Sequence, residues 1–246
     1  MAAPRFFVDL SLAPAAVGSE IALPDALAHY ALRVRRLAPG DGLTLFTGAG
    51  GEYAATLTHA GKREARARID AFAAGIAEPL RAVTLVQALV ATDPMDAIVR
   101  HATELGVARV QPVVTERSAR FPSGAHGERR VAHWRAIAVA ACEQCGRNRV
   151  PDIAAPADVR AWLADRPAAR AGLVLAPDGN RALAELAAPE GELDVLIGPE
   201  GGFTPAELEL AVQKGIVAVR LGPRILRAET AALAALAAVN VLWSEG

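Results

Sequence analysis

Two glycine–proline turns near the C-terminus carry the side chains best suited to chemistry. The first is Ile197-Gly198-Pro199-Glu200-Gly201-Gly202-Phe203. The second is Leu221-Gly222-Pro223-Arg224-Ile225-Leu226-Arg227-Ala228-Glu229-Thr230-Ala231. Each follows a short apolar run and precedes a helix-like stretch. Strand ends that deliver Gly-rich backbone into neighbouring loops are where an open α/β sheet binds a small ligand. Gly198, Gly201 and Gly202 let main-chain N–H groups face such a ligand with no Cβ in the way. No Gly-Lys-Ser/Thr follows and GxGxxG is absent, so neither familiar nucleotide fingerprint is met. A tight crossover turn would need the same glycines. The second turn adds charge. A helix N-terminus favours Glu229 but not Arg224 and Arg227. Two arginines there call for an anionic partner, whether Glu200, Glu229 or a phosphate.

Elsewhere the chemical signals are weaker. Cys142-x-x-Cys145 closes a helix rather than opening one, so the helix dipole does not activate its thiols. His126 and His133 are not spaced with the cysteines as a zinc site requires, and no metal is expected. Both cysteines continue an apolar stripe, which reads as core or interface packing. Beside them Glu143, Gln144, Arg147, Asn148 and Arg149 form a polar cluster at the helix end. That cluster reads either as a hydrogen-bonding site or as a solvated face. No Ser/His/Asp or paired-carboxylate spacing stands out.

These residues need elements to hold them. Residues 1–75 read as a small β-rich unit, with strands over 5–8, 43–47, 52–57 and 65–72 and one helix over 25–37. Composition shifts at Ala77-Glu78-Pro79, which reads as a linker. A strand is expected over 83–90. Asp93 and Pro94 then predict a helix, with Asp as N-cap and Pro at its first position. Met95, Ile98, Val99, Ala102 and Leu105 line one face of it, and Gly106 ends it. Further strands are expected over 110–114, 173–176, 193–197 and 216–221, and further helices over 128–145 and 229–243. Thr204-Pro205-Ala206-Glu207 is a capping box with Pro at the first helical position. This alternation argues for a parallel sheet covered by helices.

Bulk properties narrow the function. At 246 residues the chain can bury a substantial core. The 56 alanines inflate its apolar fraction. The run from Ala231 to Val239 is too short to span a bilayer, no secretory signal is evident, and two cysteines fit a reducing cytoplasm. Net charge is −1, so no global basic field points to nucleic acid. Charge is nevertheless segregated: residues 115–150 hold seven arginines against three acids, and residues 151–215 hold eleven acids against five basic groups.

Several segments together resemble the RsmE family of bacterial 16S rRNA uridine-N3 methyltransferases in the SPOUT superfamily. They are Leu196–Phe203, Leu221–Ala231, Ala140-Ala141-Cys142-Glu143-Gln144-Cys145-Gly146-Arg147, Ala102–Val107 and Glu116-Arg117-Ser118. Arg33-Val34-Arg35-Arg36-Leu37 with Gly40-Asp41, then Leu45-Phe46-Thr47-Gly48, resembles the family's PUA-like domain. The segments run in the family's order over nearly the whole chain. Thr92–Met95, Arg100-His101 and Arg35 depart from the family pattern.

The resemblance implies an α/β fold in which a PUA-like β-barrel over 1–76 precedes a SPOUT methyltransferase domain over 77–246 with a C-terminal trefoil knot. It implies a homodimer that uses S-adenosylmethionine and acts on 16S rRNA within the 30S subunit. The backbone around Gly198, Pro199, Glu200, Leu221, Gly222, Ile225 and Leu226 would wrap the cofactor's adenosine, with Leu175, Ile197, Gly201 and Thr230 completing the lining. Arg227 would stabilise the uracil anion. Glu229 would orient Arg227 or take the proton, with Glu200 as the rival base. Arg33, Arg36, Arg117, Arg147 and Arg149 would contact RNA. The competing readings are a SPOUT enzyme acting on another base or a ribose, an RNA-binding assembly module with vestigial cofactor loops, and, more distantly, a dinucleotide oxidoreductase.

Overall fold

The computed structural model of the chain describes residues 3–62, 64–75, 78–79, 81–179 and 181–243. The expected domain boundary falls on Ile76 and Ala77, outside the described residues. By packing, the chain divides into two units. One comprises 1–78 with 142–150, and the other 79–141 with 151–246.

The first unit holds β1 (Arg5–Phe7), β2 (Glu20–Ala22), α1 (Asp25–His29), β3 (Gly42–Phe46), β4 (Glu52–Ala60) and β5 (Ala65–Ala73). The strands form one sheet in the order β1-β3-β4-β5-β2, and no β1–β2 pairing closes it into a barrel among the described residues. Alternation places Tyr53, Ala55 and Leu57 of β4 in the core with Leu43, Leu45 and Ile69. The helix expected over 25–37 is regular only to His29. A π-type turn over Tyr30–Val34 follows, and the Arg35 N–H donates to the Tyr30 carbonyl five residues back (3.0 Å). Arg36 then takes φ 56°, a left-handed conformation that non-glycine residues rarely adopt.

Residues 142–150 resolve the polar cluster read from sequence. The Glu143 carboxylate accepts the Phe7 N–H at 3.0 Å. Arg5 donates to the Gly146 and Arg147 carbonyls and to Asn148. Glu78 accepts the N–H groups of Asn148 (2.9 Å) and Arg149 (2.7 Å) and pairs with the Arg147 guanidinium at 2.9 Å. The cluster is therefore an internal fastening. Glu78, expected in a linker, is its anchor.

The second unit runs β6 (Val83–Ala88), α2 (Thr92–Glu104), β7 (Arg109–Val114), α3 (Gly124–Cys145), β8 (Asp152–Ile153), β9 (Ala157–Asp158), α4 (Val159–Asp165), β10 (Ala171–Leu175), β11 (Arg181–Ala182), β12 (Leu193–Ile197), α5 (Pro205–Gln213), β13 (Val217–Arg220) and α6 (Ala228–Trp243), the last turn of α3 packing with the first unit. Its eight strands are all parallel, in the order β11-β13-β10-β12-β6-β7-β8, with β9 also on β7. The central strands β6 and β12 are buried at every position because both faces are covered, and they are apolar apart from Thr84, Gln87 and Asp194. Val86, Ala88, Val174 and Leu196 pack with Val159 and Leu163 of α4 and Ala211 of α5. On the other side of the helix inventory, α6 packs on α2 and β12.

One capping expectation is corrected. Ala91, not Asp93, is the N-cap of α2, and no side chain caps it. Asp93 and Pro94 lie within the first turn, whose N–H groups have no helical partner, so Pro94 loses nothing there. Helix α3 likewise begins at Gly124, four residues before the expected start.

Candidate functional site

Strand β10 lies between β13 and β12, so the loops after these three strands meet at one edge of the parallel sheet. They enclose a cleft of about 520 Å³, within the ordinary size of a small-molecule site. Leu175 and Ala176-Pro177-Asp178 supply one wall, Ile197 through Phe203 a second, and Val219 through Ala228 with Ala231 a third; Pro223 is not among the lining residues.

Local sequence explains how the second wall is built. The Gly202 N–H donates to the Pro199 carbonyl at 2.8 Å, closing a four-residue turn with Gly202 at φ +66°. A Cβ at Gly198 would come within 3.2 Å of Phe203, so glycine lets the turn fold back onto that ring. Thr204 then caps α5 as predicted. Its hydroxyl accepts the Glu207 N–H, and the Glu207 carboxylate accepts the Thr204 N–H at 2.8 Å. In the third wall, Gly222 takes φ +108°. Ile225 is 84% exposed, which leaves an unpartnered apolar side chain at the rim.

The structure brings together Leu175, Ile197, Gly198, Pro199, Glu200, Gly201, Leu221, Gly222, Ile225, Leu226 and Arg227. Glu229 and Thr230 do not line the cleft. They occupy the first turn of α6, where the dipole favours a carboxylate. Glu200, Arg224 and Arg227 are exposed, and none makes a side-chain hydrogen bond or ion pair among the described residues. The arginines are thus not spent on Glu200 or Glu229. Arg117 reaches the rim, where its Nη1 donates to the Gly201 carbonyl at 2.9 Å.

The other arginines expected to contact RNA divide. Arg33, Arg36 and Arg149 are exposed. Arg147 is only 4% exposed and bonded to Glu78, so it is corrected to a structural residue. Cys142 is buried in line with the packing reading, and burial pushes its thiol up to about 12, opposite to an activated cysteine.

Sequence reasoning missed Ala176, Pro177, Asp178 and Arg220. A Pro-Asp-Gly turn after an apolar run was the available signal. A Cβ at Gly179 would lie 2.7 Å from the Val219 carbonyl carbon, and Arg220 Nη1 donates to the Gly179 carbonyl at 2.9 Å. That turn is therefore clamped against β13.

Comparison with known proteins agrees with this geometry. The family model described as an RNA methyltransferase domain matches residues 77–240, and that of an RNA methyltransferase PUA domain matches residues 23–70. Ribosomal RNA small subunit methyltransferase E of Mycobacterium bovis is 35% identical over 221 residues, covering 87% of this chain and 84% of that protein. A crystal structure of ribosomal RNA small subunit methyltransferase E from Neisseria gonorrhoeae, bound to S-adenosyl methionine, superposes with a TM-score of 0.92 at 36% identity and covers 98% of both chains. The structure of a Legionella pneumophila protein in complex with the same cofactor gives 0.91 at 28% identity, again covering 98% of both chains. The apolar cleft at the strand ends thus sits in a chain that belongs to the family of the ribosomal RNA small subunit methyltransferases E, the RsmE family.

Proposed function

We propose that the chain transfers a methyl group from S-adenosylmethionine to N3 of a specific uridine in 16S rRNA. The observation that carries the reading is the three-walled cleft at the ends of β13, β10 and β12. Its apolar lining, small glycines and close main-chain turns fit a flat adenine held by backbone groups. When bound there, the cofactor supplies an electrophilic methyl group on a sulfonium.

The chain's own residues must then do three things. The walls hold N3 in line with the methyl group, a proximity gain of up to ~7–11 kcal/mol in well-oriented systems. The free guanidinium of Arg227 stabilises negative charge on the uracil oxygens as the N3 proton leaves. Glu200 lines the cleft and Glu229 does not, so Glu200 is the carboxylate better placed to accept that proton.

For RNA, the reading uses Arg33, Arg36 and Arg149 in the first unit and Arg117 at the rim. It assigns RNA binding to residues 1–76 and cofactor binding to 77–246. It includes a trefoil knot, supported by the path of the chain: β13 follows β12 yet pairs with β10, and α6 returns to pack on β12 and α2. It includes a homodimer, for which exposed Val241 (79%) and Leu242 (46%) on α6 offer apolar surface. Assembled 30S particles in the cytoplasm are the proposed substrate. Among the described residues no helix is long and apolar enough to cross a membrane.

The test is mass mapping of 16S rRNA from a deletion strain, with rescue on 30S particles by the purified protein. Loss and rescue of one N3-methyluridine supports the reading. A methyl group lost elsewhere overturns the substrate. Absence of S-adenosylmethionine binding by calorimetry would leave an RNA-binding module instead.

A further inference from the structure

Helix α5 opens with a buried carboxylate that does more than cap it. Glu207 is 2% exposed. Its Oε2 accepts the Thr204 N–H at 2.8 Å and the Thr204 hydroxyl at 3.1 Å. Its Oε1 reaches 91 residues back in sequence and accepts the Glu116 N–H at 2.9 Å. The next residue, Arg117, donates Nη1 to the Gly201 carbonyl at 2.9 Å. A Cβ at Gly201 would sit 3.3–3.4 Å from the Arg117 stem, so that stem lies flat on the glycine. The segment after β7 is therefore joined twice to the turn after β12. These strands are not neighbours, because β6 lies between them. The two links span the end of β6 and tie a rim arginine to a cleft wall.

An arginine held this way is preorganised. One of its five N–H donors is on the Gly201 carbonyl, and the exposed guanidinium keeps the others. A capping glutamate needs only the Thr204 bonds. The bond to Glu116 fixes the backbone beside Arg117, and removing the acceptor would leave a part-buried N–H unpaired.

We propose that Glu207 is a positioning residue for RNA: through the Glu116 amide it holds Arg117 at the mouth of the cleft, aimed at a phosphate of the RNA substrate. This rests on the RNA-methyltransferase reading above and on Arg117 as an RNA contact.

The test measures binding to unmodified 30S particles across a salt series, together with kcat/KM for RNA, in the whole protein. Arg117→Ala is expected to weaken binding about 10-fold and to lower the magnitude of the salt slope by about one. Glu207→Ala, which removes both acceptor oxygens and so frees the Glu116 N–H, is expected to give most of that loss and part of the slope change. Thr204→Ala removes a cap contact but leaves the Glu116 bond, so its RNA affinity and slope stay at wild-type values even where its Tm falls. The Glu207→Ala/Arg117→Ala double variant should bind no more than about twofold worse than Arg117→Ala alone. If Glu207→Ala does not fold, Glu207→Asp replaces it with the same expectation, since it is one methylene too short to reach Glu116. Additive effects of Glu207 and Arg117, or an unchanged salt slope in the Glu207 variant, overturn the inference. An Arg117→Ala protein with wild-type affinity and slope removes instead the assignment of Arg117 to RNA.

Discussion

At the scale of single residues, the cleft separates two carboxylates that sequence alone left as rivals. Glu200 faces it, and Glu229 stands in the first turn of α6. A general base contributes about 10²–10⁴-fold in rate. Glu200→Gln should therefore lower the single-turnover methylation rate at saturating cofactor by at least about 100-fold, with cofactor affinity kept. Glu229→Gln should change it by less than about 10-fold. The reverse order would return the proton to Glu229. A second residue-scale prediction concerns Glu143, whose carboxyl burial pushes above its ordinary value of 4.5 against the opposing hydrogen bond from Phe7 and the nearby Arg35 and Arg5. Between the unfolded value and the raised folded one, the native state binds more protons. Stability from this group is therefore full at low pH and is lost as pH rises through the folded value. Glu143→Gln keeps an acceptor for the Phe7 N–H and has no charge to desolvate. Its Tm should fall less than that of the wild type, or rise more, between about pH 4.5 and pH 7; parallel profiles would show that Glu143 titrates normally.

At the scale of elements, the sheet is pinned at the end opposite the cleft. The side chains of Arg166 and Asp194 are 1% and 0% exposed and meet at 2.7 Å, near the start of β12. Arg166 also donates to the Lys214 carbonyl at 3.3 Å and to the Arg170 carbonyl, joining the approaches to β13 and β10. A Cβ at Gly172 would come within 2.7 Å of the guanidinium, so β10 carries glycine where it passes the pair. Breaking a buried pair leaves a charge without its partner. Arg166→Ala should cost about 3–5 kcal/mol in urea unfolding, and an Arg166→Met/Asp194→Leu double variant should recover much of it. A loss below about 1 kcal/mol would mean that Arg170, whose Nη1 lies 3.5 Å from Asp194 Oδ1, compensates the carboxylate. None of this was legible in the sequence, where Arg166 and Asp194 were two charges among many. What could be read was local. The Thr204–Glu207 box and the mainly apolar segments of β6 and β12 declare themselves within a few residues. The two-residue strands β8, β9 and β11 and the short helix α4 carry too little periodicity to see. The start of α2 was misplaced because Asp-Pro is a strong start signal that Ala91 overrode without any side-chain cap. In the cleft, the glycine turns were visible as motifs, whereas Asp178 and Arg220 became part of the site only when parallel pairing set β10 beside β13.

At the scale of the whole molecule, two units with separate cores share one chain, and the ligand cleft belongs to one of them. Unfolding is then not bound to be a single two-state event. A ligand that binds only the folded cleft stabilises what unfolds with it by RT ln(1 + [L]/Kd), about 2.7 kcal/mol at a concentration of 100 Kd. S-adenosylmethionine should accordingly slow hydrogen exchange of the β10, β12 and β13 amides by up to about 100-fold wherever those amides exchange by opening of the cleft unit. The amides of β3, β4 and β5 should change little, because their core of Leu43, Leu45, Leu57 and Ile69 is built within the first unit. The comparison is internal to one protein and one sample, so differences in concentration or buffer do not enter. Equal slowing in both sets of strands would show that the two cores open together. No slowing in either would show that the cleft does not bind the cofactor tightly enough to act as a methyl-donor site.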